Sequence, residues 1–230
     1  MSGAVTLAPR WLLRRLADVP DDDSWLSDGE RVVHAGLRVP KRRADWRLGR
    51  WTAKAAVASA LGVDPRRVSV LADADGAPEA MLDGEPLAMS LSISHRAGVG
   101  LAVVGDGAVV GGDLELIEPR SDAFVREWFA PHERAMMAAA GAEGRPDEVA
   151  CLIWSIKEAT AKVRREGLRL DVRDALVSFC DDGDGSGGWR RSAVDWGDGG
   201  GVISGWWRVA APLVIAIAGA PACPPPIELC

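Results

Sequence analysis

The chain has 230 residues, 48% of them apolar and 26% charged, with a net charge of −6. That length can bury a core as one domain or two small lobes, and the acidic balance argues against a general nucleic-acid binder, which carries a basic surplus. Cys151, Cys180, Cys223 and Cys230 form no Cys-x-x-Cys unit, so neither a disulfide framework nor a zinc site is implied; with no secretory signal in Met1–Arg10, the expected location is the cytoplasm, without membrane attachment.

Ser27-Asp28-Gly29-Glu30 matches a capping box and opens a short helix. Val39-Pro40 should end it, because a residue before proline avoids the helical region. A second helix is expected from about Lys41 to Leu61, stopped by Gly62, with Trp46, Ala53, Val57, Ala60 and Leu61 as its apolar stripe. Arg43, Arg47, Arg50 and Lys54 fall on another stripe of that helix. Such a row is either a solvated face or a grip for phosphate, which guanidinium groups hold in a bidentate manner.

Short strands follow at Val68–Leu71, Ala88–Ser94, Gly98–Val104 and Ala108–Leu116, with Gly105-Asp106-Gly107 as a hairpin turn between the last two. Ser121–Phe129 and Pro131–Ala140 read as helices. A long helix runs from Pro146 to about Glu166, ended by Gly167, with Val149, Leu152, Ile153, Ile156, Ala159 and Val163 facing the core. Ala175–Cys180, Trp189–Val194 and Ile203–Ala218 read as strands. The Gly-rich Asp181–Gly188 and Gly197–Gly201 read as flexible loops, and residues 221–230 as a flexible tail. The apolar Val209–Ala220 is too short to cross a bilayer. The fold class is α+β. The order helix, strands, helix, strands suggests two lobes, residues 1–107 and 108–220.

Three acids stand out. Asp113 and Glu115 sit at i and i+2 of a strand and share one side of it. Glu158 lies in the long helix. Crowded carboxylates are costly unless a cation or a proton relieves them, and an all-oxygen set without His or Cys suits magnesium. Asp113 and Glu115 alone also fit the wet side of an edge strand, and Glu158 with Lys162 a surface ion pair. Ser94 and His95, at a strand end, could donate to a phosphate; a capping histidine is the blander reading.

Taken in order, these pieces resemble a known family. Gly111-Gly112-Asp113-Leu114-Glu115, Trp154-Ser155-Ile156-Lys157-Glu158-Ala159-Thr160-Ala161-Lys162, Ser92-Ile93-Ser94-His95 and the basic helix Lys41–Arg50 look like the markers of the 4′-phosphopantetheinyl transferases. The type they resemble is the large, monomeric, surfactin-synthetase-activating one, which loads acyl and peptidyl carrier proteins of polyketide and nonribosomal peptide synthesis. The resemblance implies two similar α/β lobes in a pseudo-twofold arrangement, with coenzyme A in the cleft between them. It implies a holo-acyl-carrier-protein synthase type of reaction, dependent on Mg2+, in which the phosphopantetheine arm passes to a carrier-protein serine and 3′,5′-ADP leaves.

By position, the resemblance makes Asp113, Glu115 and Glu158 the metal ligands. Arg43, Arg50, Ser94, His95, Lys157 and Lys162 become the coenzyme A contacts. Glu133 becomes a general base, acting with Glu158 and Lys162 in catalysis. Gly112 stands where the family usually has a β-branched residue, which implies a looser strand before Asp113, and Ala77 replaces a common lysine. The region of Phe129, Arg120 and Arg126 is the expected carrier-docking surface. The rival expectation is a catalytically silent coenzyme A-binding or sensor protein of the same fold.

Overall fold

The capping box forms as written: Glu30 N–H donates to Ser27 Oγ at 3.3 Å, and Ser27 N–H donates to Glu30 Oε2 at 2.8 Å. The computed structural model describes residues 7–166, 170–197 and 199–230. Among these, β1 (Arg10–Arg15) precedes α1 (Asp28–Gly36) and α2 (Pro40–Leu61). Strands β2 (Val68–Ala72), β3 (Pro78–Leu82) and β4 (Glu85–Pro86) form a small antiparallel sheet. Then come β5 (Ser90–Arg96), β6 (Val99–Gly105) and β7 (Val109–Leu116), followed by α3 (Asp122–Trp128), α4 (Pro131–Gly141) and α5 (Pro146–Arg164). The chain ends with β8 (Ala175–Gly185), β9 (Trp189–Trp196), β10 (Gly201–Ala210), β11 (Leu213–Ala220) and β12 (Ile227–Glu228).

Two main sheets result, ordered β12-β1-β6-β5 and β7-β11-β10-β9-β8. The α+β class of the sequence reading holds. Alternation along each strand sends side chains to both faces. Helix α2 covers one face of the first sheet, packing Ala53, Ala56 and Val57 against Leu12, Ala102 and Val104. Helix α5 covers the second sheet, packing Leu152, Ile153, Ile156 and Ala159 against Val214, Ala216 and Ala218. The remaining faces meet in a third core, where Trp11, Leu101 and Val103 touch Leu114, Ile215 and Ile217. All six residues expected on the core side of the long helix are buried. In α2, Leu61 departs from its expected stripe and is 39% exposed.

Both long helices are anchored in the same way. Lys54 Nζ lies 2.8 Å from Glu30 Oε2 and donates to Trp25 O, 29 residues upstream. Lys157 Nζ lies 3.0 Å from Glu133 Oε2 and donates to Trp128 O, again 29 residues upstream. Glu30 Oε1 accepts from Val70 N–H, and Glu133 Oε1 from Val177 N–H, each at 2.9 Å. Glu133 Oε2 also accepts from Ala130 N–H at 2.8 Å, as Glu30 does from Ser27. All four charged side chains are fully buried. Burial pushes both lysine pKa values down, and the paired glutamates oppose that shift.

The edges β5 and β7 run side by side without a backbone ladder. Serine hydroxyls fill the gap: Val110 N–H donates to Ser90 Oγ and Gly112 N–H to Ser92 Oγ, each at 3.0 Å, and Ser94 Oγ donates to Asp113 Oδ1 at 2.9 Å. The Gly105-Asp106-Gly107 turn is therefore no hairpin. It carries the chain from one sheet to the other, and β7 pairs with β11 instead. Gly111 and Gly112 allow close approach on both sides of β7. A Cβ on Gly111 would lie 1.9 Å from Ala159 O of α5, and one on Gly112 would lie 2.4 Å from Val103 Cγ2. The looser strand expected at Gly112 is thus a tighter one.

Other expectations are corrected by pairing across the chain. Strand β1 escaped the sequence reading because Leu and Arg are good helix formers; pairing with β6 decides it. The region 203–218 is two antiparallel strands with a turn at Ala211-Pro212. The Gly-rich segment after Cys180 continues β8 through a register shift between Phe179 and Asp184. The last residues are no loose tail: Ile227 and Glu228 pair with Arg10 and Trp11, and Leu229 N–H donates to Trp11 O at 2.8 Å. Gly167 lies outside the described residues; α5 ends at Arg164, and Arg165 takes a left-handed conformation at φ 54°. Among the described residues no helix is long and apolar enough to cross a membrane.

Replacing Lys54 or Lys157 by Met should lower the free energy of unfolding by about 3–5 kcal/mol in each case, since a buried carboxylate loses its partner. Urea titration measures this, and an unchanged midpoint would show that the pairs do not anchor the helices. Gly111→Ala should cost about 3 kcal/mol, at the upper end for overpacking, because the new methyl meets backbone rather than a side chain that can swing away. Wild-type stability in that variant would mean α5 is free to move off β7.

Candidate active site

A groove of about 760 Å3 lies between the two halves of the molecule. One wall is the turn Gly76–Pro78 with Ser92 and Ile93 of β5; the other is the face of α5 that carries Trp154, Glu158, Lys162 and Arg165. Trp128, stacked edge-on to Trp154 at 6.0 Å, closes one side. The close packing at Gly111 brings α5 onto β7 and so brings Lys162 to Asp113.

At that junction Lys162 Nζ donates to Asp113 Oδ1 and to Gly112 O, both at 2.9 Å. Ser94 Oγ reaches the same Oδ1 from the first sheet. Asp113 is only 5% exposed, and its second oxygen, Oδ2, is buried without a hydrogen-bond partner. Glu115 turns to Arg120 at 3.0 Å and to Arg96 at 3.6 Å. Both arginines also contact Glu118. The Glu158 carboxyl is pushed up, first by burial and then by the charge on Asp113; Lys162 opposes this, and Glu115 adds to it. Three residues beyond Lys162, Arg165 Nη2 lies 2.9 Å from Asp73 Oδ2 on the β2–β3 turn, so that an ion pair ties the two walls.

The three acids share one electrostatic neighbourhood but do not enclose a common point. Among the described residues no group of three His, Cys, Asp or Glu side chains is spaced to hold a metal ion. The expected closed metal centre is therefore not drawn. The donors themselves suit a hard cation: all are oxygens, and Asp113 Oδ2 is a buried acceptor without a hydrogen-bond donor.

The other expected site residues divide. Ser94 and Lys162 are at the junction. His95 is exposed and lies beside α2 at Gly49. Arg50 stacks over Trp46 at 5.1 Å, with Nε buried and unpartnered; burial pushes its pKa down, and Glu30 opposes this. Arg43 lines a second cavity of about 350 Å3 that shares no residue with the groove, and its Nε lies 3.5 Å from His34 Nε2. Arg47 is taken by Asp23 and the carbonyls of Pro20, Asp21 and Asp22. The basic stripe thus breaks up: Arg47 and Lys54 are taken by distant segments, Arg43 faces another cavity, and Arg50 stacks on its own helix.

Glu133 and Lys157 do not reach the groove. Each is fully buried, and their polar atoms serve each other and the backbone. A carboxylate so enclosed cannot meet a substrate hydroxyl, which corrects the expected base and phosphate contact. Phe129 is 3% exposed and Arg120 is held by Glu115, so neither offers a docking surface. The sequence reading missed Ser90 and gave Ser92 no contact of its own, though the alternation with Ser94 could have shown both, and it missed the Asp73–Arg165 tie, for which no local pattern exists.

Residues 109–203 match the model of the 4′-phosphopantetheinyl transferase superfamily. The 4′-phosphopantetheinyl transferase Svp of Streptomyces mobaraensis is 32% identical over 177 residues, which cover 75% of this chain and 70% of that protein. The matched region holds Asp113, Glu115, Glu158 and Lys162, and the relative extends the likeness beyond it. On this evidence the chain belongs to the 4′-phosphopantetheinyl transferase family.

Proposed function

We propose that the protein transfers the 4′-phosphopantetheine arm of coenzyme A to a serine of an acyl or peptidyl carrier protein, with Mg2+, releasing 3′,5′-ADP. It would be of the large, surfactin-synthetase-activating type, a monomer working in the cytoplasm. The observation that carries this reading is the junction of Ser94, Asp113 and Lys162 beside a groove that Lys162 and Glu158 line. The matching Glu30–Lys54 and Glu133–Lys157 anchors support reading those halves as two related lobes about a pseudo-twofold axis. Its four free cysteines suit a reducing compartment.

In this reading the serine oxygen bonds to phosphorus, the bond to the second phosphate breaks, and its electron pair leaves on 3′,5′-ADP. Asp113, Glu115 and Glu158 would hold the ion, which when bound supplies positive charge beside the phosphates. Lys162 lines the groove with its side chain 30% exposed, placed to neutralise the charge that grows on the departing phosphate. Ser94, His95 and Arg50 offer donors from the first lobe. Trp128 and Trp154 give the groove an apolar side that excludes water from the reacting group. The serine proton leaves through the groove, since Glu133 is sealed in the fold.

Intact-mass spectrometry tests the reading. An apo carrier protein incubated with the enzyme, coenzyme A and Mg2+ should gain the mass of one phosphopantetheine arm. Asp113→Ala should abolish the gain while circular dichroism stays that of the wild type. A gain that survives Asp113→Ala would move the site elsewhere. No gain across a panel of acyl and peptidyl carriers would leave a silent coenzyme A-binding protein.

A further inference from the structure

Two of the three acids beside the groove, Asp113 and Glu115, already have cations, and those cations belong to the chain. Lys162 Nζ sits at 2.9 Å from both Asp113 Oδ1 and Gly112 O, with Ser94 Oγ on the same carboxylate oxygen. Arg120 and Arg96 bracket Glu115. So arranged, Asp113 and Glu115 are held by side-chain cations, and among the described residues no three acids face one point. Yet the neutralisation is incomplete. Asp113 is 95% buried, and its Oδ2 has no donor at all. A buried carboxylate oxygen left bare carries its full desolvation cost. One oxygen is served twice and the other not at all, as expected of a carboxylate poised between two cations.

We propose that Lys162 is the resident cation of this site and competes with the divalent ion for Asp113. In the free protein its ammonium holds the carboxylate. Arrival of an ion at Asp113 repels the ammonium, and the flexible lysine stem lets it turn into the groove that it already lines. There it meets whatever anion the groove holds. Ion and anionic ligand then bind with positive coupling, because each completes the exchange the other begins, and the coupling is reciprocal. The inference rests on the transferase reading for the identity of the ion and the anion. The displacement itself rests on the contacts of Lys162 and the bare Oδ2.

The test uses Mn2+ as the probe, on the full chain without coenzyme A, with binding read from water-proton relaxation. Lys162→Met should bind Mn2+ at least tenfold more tightly than the wild type, and Asp113→Asn added to it should remove that gain. Lys162→Met should also melt lower than the wild type and recover more on addition of Mn2+. If it does not fold, Lys162→Gln, neutral but still a donor, should show the same direction of change. Binding no tighter than wild type in the folded variant overturns the competition, as does a gain that survives Asp113→Asn. Carrier loading by the wild type alongside such a failure would leave the transferase reading standing. Tighter Mn2+ binding in an enzyme that loads no carrier would strike the transferase reading and keep the competition.

Discussion

A lysine with no water around it fixes the position of each long helix. Taking an ammonium and a carboxylate out of water costs several kcal/mol per ion, which their attraction offsets only when the geometry is good. Here the geometry is made good by the backbone. Each glutamate ties three elements together: the start of its own helix, the lysine of the long helix and an N–H on a strand. Each lysine adds a tryptophan carbonyl. A pair of this kind contributes little net stability. Its effect is to permit only one rotation for the helix that carries it.

That rotation creates the site. Successive residues on a helix differ by about 100° around its axis, so a buried Lys157 sends Glu158 round toward the groove, and Lys162, one turn beyond Glu158, follows it. The same rule explains why Lys157 and Glu158 cannot both face the groove. In the first half, the residue after Lys54 is Ala55. The anchor is repeated there, but no acid follows it. The depth of α5 is set separately, by the missing side chain at Gly111. The rotation aims Glu158 and Lys162; the close approach lets Lys162 touch Asp113.

The sequence disclosed what depends on neighbours along the chain. The capping box at Ser27, the periodic stripe of α5 and the strand carrying Asp113 and Glu115 all follow from local spacing, and all are present. It concealed what depends on partners far away. Arg43, Arg47, Arg50 and Lys54 look alike as a stripe, yet Lys54 is buried on Glu30, Arg47 is bound to an acidic loop, and Arg43 faces another cavity. Glu133 has the spacing of a site residue and the burial of a structural one. Charge in a sequence says nothing of whether its partner is water, backbone or ligand, and that distinction separates the site from its frame.

The α5 wall of the groove consequently carries two cations that are each in an ion pair, Lys162 with Asp113 and Arg165 with Asp73. The second is the weaker. Both its side chains touch solvent, and an exposed pair contributes at most about 1 kcal/mol. Arg165 also holds a left-handed backbone, which costs a non-glycine residue roughly 1–2 kcal/mol. Neither pair is sealed as Lys54–Glu30 and Lys157–Glu133 are, so both can be traded for ligand contacts without disturbing the fold. A neutral ligand would have to pass between charges already satisfied. A polyanion can take Lys162 and Arg165 together, and the carboxylates it displaces are then free to receive a cation.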